Sequence, residues 1–154
     1  MNDLEVRIVK LDPFKAVCFH GFGLSPESVA FDKVKKWLAE SRILEDEKPH
    51  RFFGFNNPDP APGSPNYGYD VWITTDEAFQ DPGEGEMISF QGGLYAVTGC
   101  KGVETIGPTW QQFVKWRETS PYQFAHDHQW LEEHLNLFAP MDELSLDLYM
   151  PIKA

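Results

Sequence analysis

The chain has 154 residues, enough for one compact domain or two small fused ones. Its 13 Lys and Arg against 24 Asp and Glu leave a net charge of −11, a field that repels phosphate backbones and argues against nucleic acid as a direct partner. There is no apolar leader and no run near the ~20 apolar residues of a membrane span, and the two cysteines, Cys18 and Cys100, show no CxxC or metal-type spacing, so the expectation is a cytoplasmic protein with buried, reduced thiols.

In chain order, Val6 to Phe22 reads as one long strand or a bent hairpin arm, broken at Gly21-Phe22-Gly23. Ser25-Pro26-Glu27 is a helix start: a capping Ser, Pro at the first helical position and an acid in the first turn. Val29, Phe31, Val34, Trp37 and Leu38 carry the helical period on to about Glu40. Glu45–Pro49 is a charged loop, Arg51–Phe55 a short strand, and Asn56–Asn66 a Pro- and Gly-rich loop. Tyr67–Thr75 is a strand with Tyr69, Val71 and Ile73 on one face and Asp70, Trp72 and Thr74 on the other. Asp81–Gly85 is a turn. Met87–Thr98 is a strand interrupted at Gln91-Gly92-Gly93, where a bulge or bend is expected. Thr105–Glu118 is the second helix. Pro121–Gln129 is a loop or a loose helix, and Trp130–Leu137 and Ser145–Ile152 are the last strands.

This order is β-α-β-β written twice, over about residues 4–78 and 85–153. Ala16-Val17 answers Ala96-Val97, eighty residues on, and Phe31-x-x-Val34-x-Lys36-Trp37 answers Trp110-x-x-Phe113-x-Lys115-Trp116, seventy-nine on. Asp70-Val71-Trp72 answers Asp147-Leu148-Tyr149, seventy-seven on. Neither stretch is long enough to bury much core alone, so a shared core and a ligand-sized groove between two halves are expected. The fold class that follows is α+β: duplicated β-α-β-β modules with pseudo-twofold symmetry, mostly antiparallel sheet, and helices on one side.

Several short motifs occur together in order. They are Gln91-Gly92-Gly93-Leu94-Tyr95-Ala96-Val97, Thr109–Trp116, Leu131-Glu132-Glu133-His134-Leu135-Asn136, Phe53-Gly54-Phe55-Asn56-Asn57-Pro58 with Tyr69-Asp70-Val71, and the closing Leu148–Ile152. Together they resemble the GyrI-like small-molecule-binding domain, also called the AraC-type effector-binding domain. The resemblance implies a groove between two repeats that takes lipophilic, often cationic, compounds, and it places the pocket acid on Glu132. His134 stands where the family pattern has Tyr. Two alternatives come with the resemblance: hydrolysis of strained, cyclopropane-bearing toxins with Glu132 as the acid/base, and protein binding of the gyrase-inhibitor kind.

Glu132 shares a strand face with Trp130 and His134, and a carboxylate among aromatic rings offers charge and a π surface to one organic cation. Trp72, Trp110, Tyr69 and Tyr149 complete the candidate set, although aromatic residues at such spacings are more often core. Trp37 and Trp116 are assigned to packing. Two alternatives for the 130–136 strand stay open: Glu132 toward solvent with Glu133 inward, or neither inward, since Leu131 and Leu135 also want the core. His126-Asp127-His128 lacks supporting ligands, so no metal is expected there, and no cofactor motif is present. About five residues precede the first strand, too few for a DNA-reading module.

Overall fold

The computed structural model describes residues 4–46, 50–57, 62–76 and 79–153. Among them are nine strands and two α-helices. The strands are β1 (Arg7–Leu11), β2 (Phe14–Gly23), β3 (Phe52–Asn56), β4 (Tyr67–Thr75), β5 (Glu86–Phe90), β6 (Gly93–Lys101), β7 (Gln123–Phe124), β8 (Leu131–His134) and β9 (Ser145–Lys153). The helices are α1 (Pro26–Ser41) and α2 (Ile106–Glu118), and single 3-10 turns cover Ile43–Asp46 and Val103–Thr105. The expected α+β class with mostly antiparallel sheet is borne out. Two expected loops, Glu45–Pro49 and Asn56–Asn66, lie in part outside the described residues, at 47–49 and 58–61.

The chain divides into two compact units. One runs from Phe14 to Phe90, with strand order β5-β2-β4-β3 and α1 packed on β2 and β4. The other joins the residues up to Pro13 with those from Gln91 on, in strand order β1-β6-β9-β8, with β7 paired to the end of β9.

The long strand expected over Val6–Phe22 is therefore two strands in two different units. The break is Asp12-Pro13: Pro has no N–H to give a ladder, and its ring fixes φ. The strand expected over Met87–Thr98 is also two, split at Gln91-Gly92. Gly92 has φ 82°, and a Cβ there would overlap the carbonyl oxygen of Leu11, so only glycine lets β6 start beside β1.

The hydrogen-bond register is equivalent in the two units. β5 lies against β2 as β1 lies against β6, with Phe14 opposite Phe90 and Gly93 opposite Leu11. Val17, opposite Ile73, thus corresponds to Ala96, opposite Met150. The structural offset is seventy-nine residues between β2 and β6, one fewer than the Ala-Val match implies, and seventy-seven between β4 and β9.

Helix α1 begins as expected, with Ser25 in the capping position and Pro26 at its start, although the Ser25 side chain makes no capping hydrogen bond. The pre-set φ of Pro26 and the acid Glu27 favour the N-terminus instead. Glu27 also accepts the Tyr67 hydroxyl at 2.7 Å. The buried stripe Ala30, Val34, Trp37 faces the sheet, and the Trp37 ring lies 5.5 Å from Phe19. The helix ends on Arg42, which is left-handed (φ 55°, ψ 28°) and donates its backbone N–H to Leu38 O at 3.2 Å. A Cβ is unfavourable there, and the exposed ion pair to Glu45 contributes little. Arg42→Gly is expected to raise the melting temperature by about 2 °C, measured by calorimetry; an unchanged or lower value counts against the capping argument.

In the second unit α2 places the fully buried Phe113 on Ala96, Leu146, Leu148, Met150 and Ile152, with Trp116 packed alongside. Both cysteines are half-buried rather than fully buried. Cys18 pairs with Trp72 across the ladder, and burial, reinforced by the Asp70 charge, pushes its thiol up to about 12. No helix among the described residues is long and apolar enough to cross a membrane.

Candidate functional site

The register of β8 on β9 decides which way each candidate points. Leu131 lies opposite Tyr149, Glu132 opposite Leu148, Glu133 opposite Asp147, and His134 opposite Leu146. Alternation then puts Glu132 and His134 on the face of Leu146 and Leu148, which is the face α2 covers. Leu131 and Glu133 share the reverse face with Tyr149 and Asp147. The strand is shorter than the expected Trp130–Leu137. Leu135 leaves the ladder because Asn136 closes a turn, its side chain accepting Ser145 N–H at 2.7 Å and donating to Glu143 O at 2.8 Å. Leu131 takes a core position and Leu135 does not.

Helix α2 brings Trp110 over this face. Trp110 is the fifth residue of the helix, and its indole Nε1–H donates to Glu132 Oε2 at 2.9 Å. Its ring lies 5.6 Å from Trp130 and 6.0 Å from Phe113, and Trp130 lies 5.5 Å from Phe124. Glu132, Trp110 and Trp130 are each half-buried. The result is one carboxylate anchored by an indole N–H within a run of four aromatic rings.

His134, one alternation further along, is 8% exposed. Burial lowers its pKa to about 4 against a weaker opposing pull from Glu133. The folded protein thus holds a neutral imidazole that the unfolded chain protonates near its ordinary value of about 6.5. This contribution to stability is present above that value and is lost as pH falls from about 6.5 to about 4, by roughly 3 kcal/mol. Urea melts across that window are expected to show the loss in wild type and a flatter profile in His134→Gln. Parallel profiles would refute the assignment.

On the reverse face, Glu133 is 8% exposed and accepts the hydroxyl of the buried Tyr149 at 2.7 Å. The Tyr149 ring meets Tyr95 edge-on at 5.5 Å, and Asp147 pairs with Arg7 at 2.5 Å. Tyr149 was among the expected site residues, Glu133 entered only as the inward alternative to Glu132, and Asp147 only as part of the repeat match. The parity of Leu131, a core residue, was the available signal for Glu133.

The two remaining candidates belong to the first unit, on opposite faces of its sheet, as the alternation expected. Tyr69 faces α1. Its ring is 6.2 Å from Phe31, and its hydroxyl covers Gly54, where any Cβ would overlap it. Trp72 faces away from α1, edge-on to Phe55 at 4.9 Å and near Phe90 at 5.3 Å. Behind it Asp70 is buried and accepts from His20 Nδ1 at 2.5 Å and Asn57 Nδ2 at 3.0 Å. His128, of the His-Asp-His motif, contacts the Asp127 carboxylate and the Leu94 carbonyl, each at 2.8 Å. No group of three metal-binding side chains occurs among the described residues.

A cleft of about 760 Å³ opens in the second unit along the first turns of α2, lined by Arg7, Thr98, Cys100, Thr105, Thr109 and Gln112 among others. Glu132 and Trp110 do not line it, and its wall is mostly polar. The acid and its aromatic partners are packed on one another, so a bulky ligand at Glu132 requires the indole rings to turn aside.

The Cass2 family of integron-associated effector binding proteins matches residues 7–152. No curated protein matches the chain. Among solved structures, SAV2435 bound to tetraphenylphosphonium has a TM-score of 0.62 at 11% identity, over 98% of this chain and 95% of that one. A hydrolase from Listeria innocua has a TM-score of 0.70 at 9% identity, over 99% and 94%. The integron cassette protein VCH_CASS2 from Vibrio cholerae has 0.55 at 10%, over 96% and 95%. Identities this low speak for the fold, and the family match speaks for the sequence. The chain belongs to the integron-associated effector-binding family, and the resemblance to GyrI-like small-molecule-binding domains is borne out.

Proposed function

We propose that the chain binds a lipophilic organic cation against Glu132, Trp110 and Trp130. The observation that carries the reading is the 2.9 Å contact between Trp110 Nε1 and the half-buried Glu132. It holds an anion at the edge of an aromatic cluster, where a delocalised cation gains Coulomb attraction and ring contact together. Membership in an effector-binding family and the tetraphenylphosphonium held by a structural relative support it.

Tetraphenylphosphonium and tetraphenylborate share shape and carry opposite charge, so they separate an acid-centred site from a greasy one. Thermal melts at ligand concentrations ~100-fold above the dissociation constant add about 2.7 kcal/mol of stability, a clear shift. The cation is expected to produce it and the borate is not. Equal shifts from both, or none from either, would overturn the reading.

The second reading is hydrolysis, favoured by the partly desolvated carboxylate of Glu132, a suitable general base. Mass spectrometry of a strained cyclopropane electrophile should then show ring-opened product that Glu132→Gln fails to make. Full recovery of the compound after incubation with wild type would end it.

A further inference from the structure

The segment from Leu135 to Ser145 is a loop built to hold its shape while exposing apolar side chains. It is closed at its base by Leu135 N–H to Ser145 O at 3.0 Å and by the two Asn136 side-chain bonds. Inside it, Ala139 N–H donates to Asn136 O at 3.0 Å and Glu143 N–H to Pro140 O at 2.9 Å. The loop is tied to the turn before α2 by Val103 N–H to Met141 O at 2.9 Å and Gly102 N–H to Leu144 O at 2.8 Å. Hydrogen bonding this dense leaves little conformational entropy to lose on contact.

Despite that order, the loop turns large apolar side chains outward. Leu135 is 53% exposed, Phe138 47%, Met141 68%, and Val103 beside them 43%. Phe138 sits at φ 67°, a left-handed conformation unfavourable for a bulky aromatic residue. Single exposed apolar residues are ordinary; here three lie on one hydrogen-bonded loop and a fourth on the turn bonded to it. Glu104, Asp142 and Glu143 on the same loop and turn are exposed, as is Lys101 at the end of β6.

We propose that this platform is a docking surface for a protein partner that presents a basic amphipathic segment, with apolar side chains between Lys or Arg residues. Charge selects the occupant. The chain carries a net charge of −11, so a second copy meets like charge both at the rim and overall, whereas a basic segment gains at both. Leu135, Phe138, Met141 and Val103 supply the apolar centre, and the acids supply orientation and association rate. The surface stands on the exposure and charge of the loop itself and does not depend on the effector reading.

The test uses the full chain and two labelled synthetic peptides. One carries Leu on one helical face and Lys on the other; its control has every Leu replaced by Ser, with the charge unchanged. Fluorescence anisotropy at physiological salt is expected to show binding of the Leu-Lys peptide alone. Binding should weaken about tenfold or more in Phe138→Ser/Met141→Ser, and also in Glu104→Gln/Asp142→Asn/Glu143→Gln. All altered side chains are exposed, and far-ultraviolet circular dichroism checks that the variants fold. Equal binding of both peptides, or undiminished binding by the Phe138→Ser/Met141→Ser variant, would overturn the proposal. So would a concentration-dependent dimer that this variant abolishes, because the surface would then be a contact between copies.

Discussion

Glu132→Gln is expected to weaken tetraphenylphosphonium binding by about thirtyfold or more while leaving the melting temperature of the unliganded protein nearly unchanged. The two effects separate because Gln keeps an oxygen acceptor for the Trp110 N–H and loses only the charge. A unit charge pair a few ångströms apart at an effective dielectric near 20 is worth about 3–4 kcal/mol, and desolvation removes part of that. A net loss of about 2 kcal/mol corresponds to roughly thirtyfold in affinity. Trp110→Phe keeps most of the ring area but leaves the acid without its indole donor, so it should weaken binding less and destabilise the unliganded protein more. Isothermal titration of both variants checks the ordering. Unchanged affinity in Glu132→Gln would place the cation elsewhere.

Phe113→Ala is expected to lower stability by about 3–5 kcal/mol. Phe113 is fully buried and is the helix residue that seats α2 on Ala96, Leu148 and Met150. In a chain of this size the melting temperature should fall by roughly 10 °C. The change also removes the ring that stacks with Trp110 at 6.0 Å, so cation affinity should fall without any change to the acid. Phe113→Leu refills most of the volume and should recover most of both. A truncation costing less than about 1 kcal/mol in chemical denaturation would show that α2 is held by other contacts.

Local pattern made much of the fold legible. Pro26 and the period through Val34 and Trp37 located α1, although Val29 is exposed and Ala30 takes its place in the buried stripe, and the alternation of Tyr67–Thr75 located β4 together with the facing of Tyr69 and Trp72. Pattern failed where chain continuity hid a change of partner. Val6–Phe22 reads as one apolar run, yet Pro13 ends one ladder and the chain starts another in a different unit. Trp130–Leu137 reads as a full strand, but Asn136 competes for the backbone of Ser145 and ends it early. Gln123–Phe124 is too short to carry a period, and it becomes a strand only because the end of β9 offers it a partner.

The resemblance to a known family pointed to Glu132, residue type supplied the aromatic candidates, and local pattern left open which of the two adjacent acids faces inward. The cross-strand register decided the rest. It turned Glu132 toward α2 and Trp110, turned Glu133 toward Tyr149, and buried His134 deeply enough to keep it neutral. Neighbouring residues on a strand differ in sequence by one position and in environment by the full thickness of the sheet. Which of two adjacent acids meets the helix is therefore a property of the pairing with β9, and no composition or local period contains it.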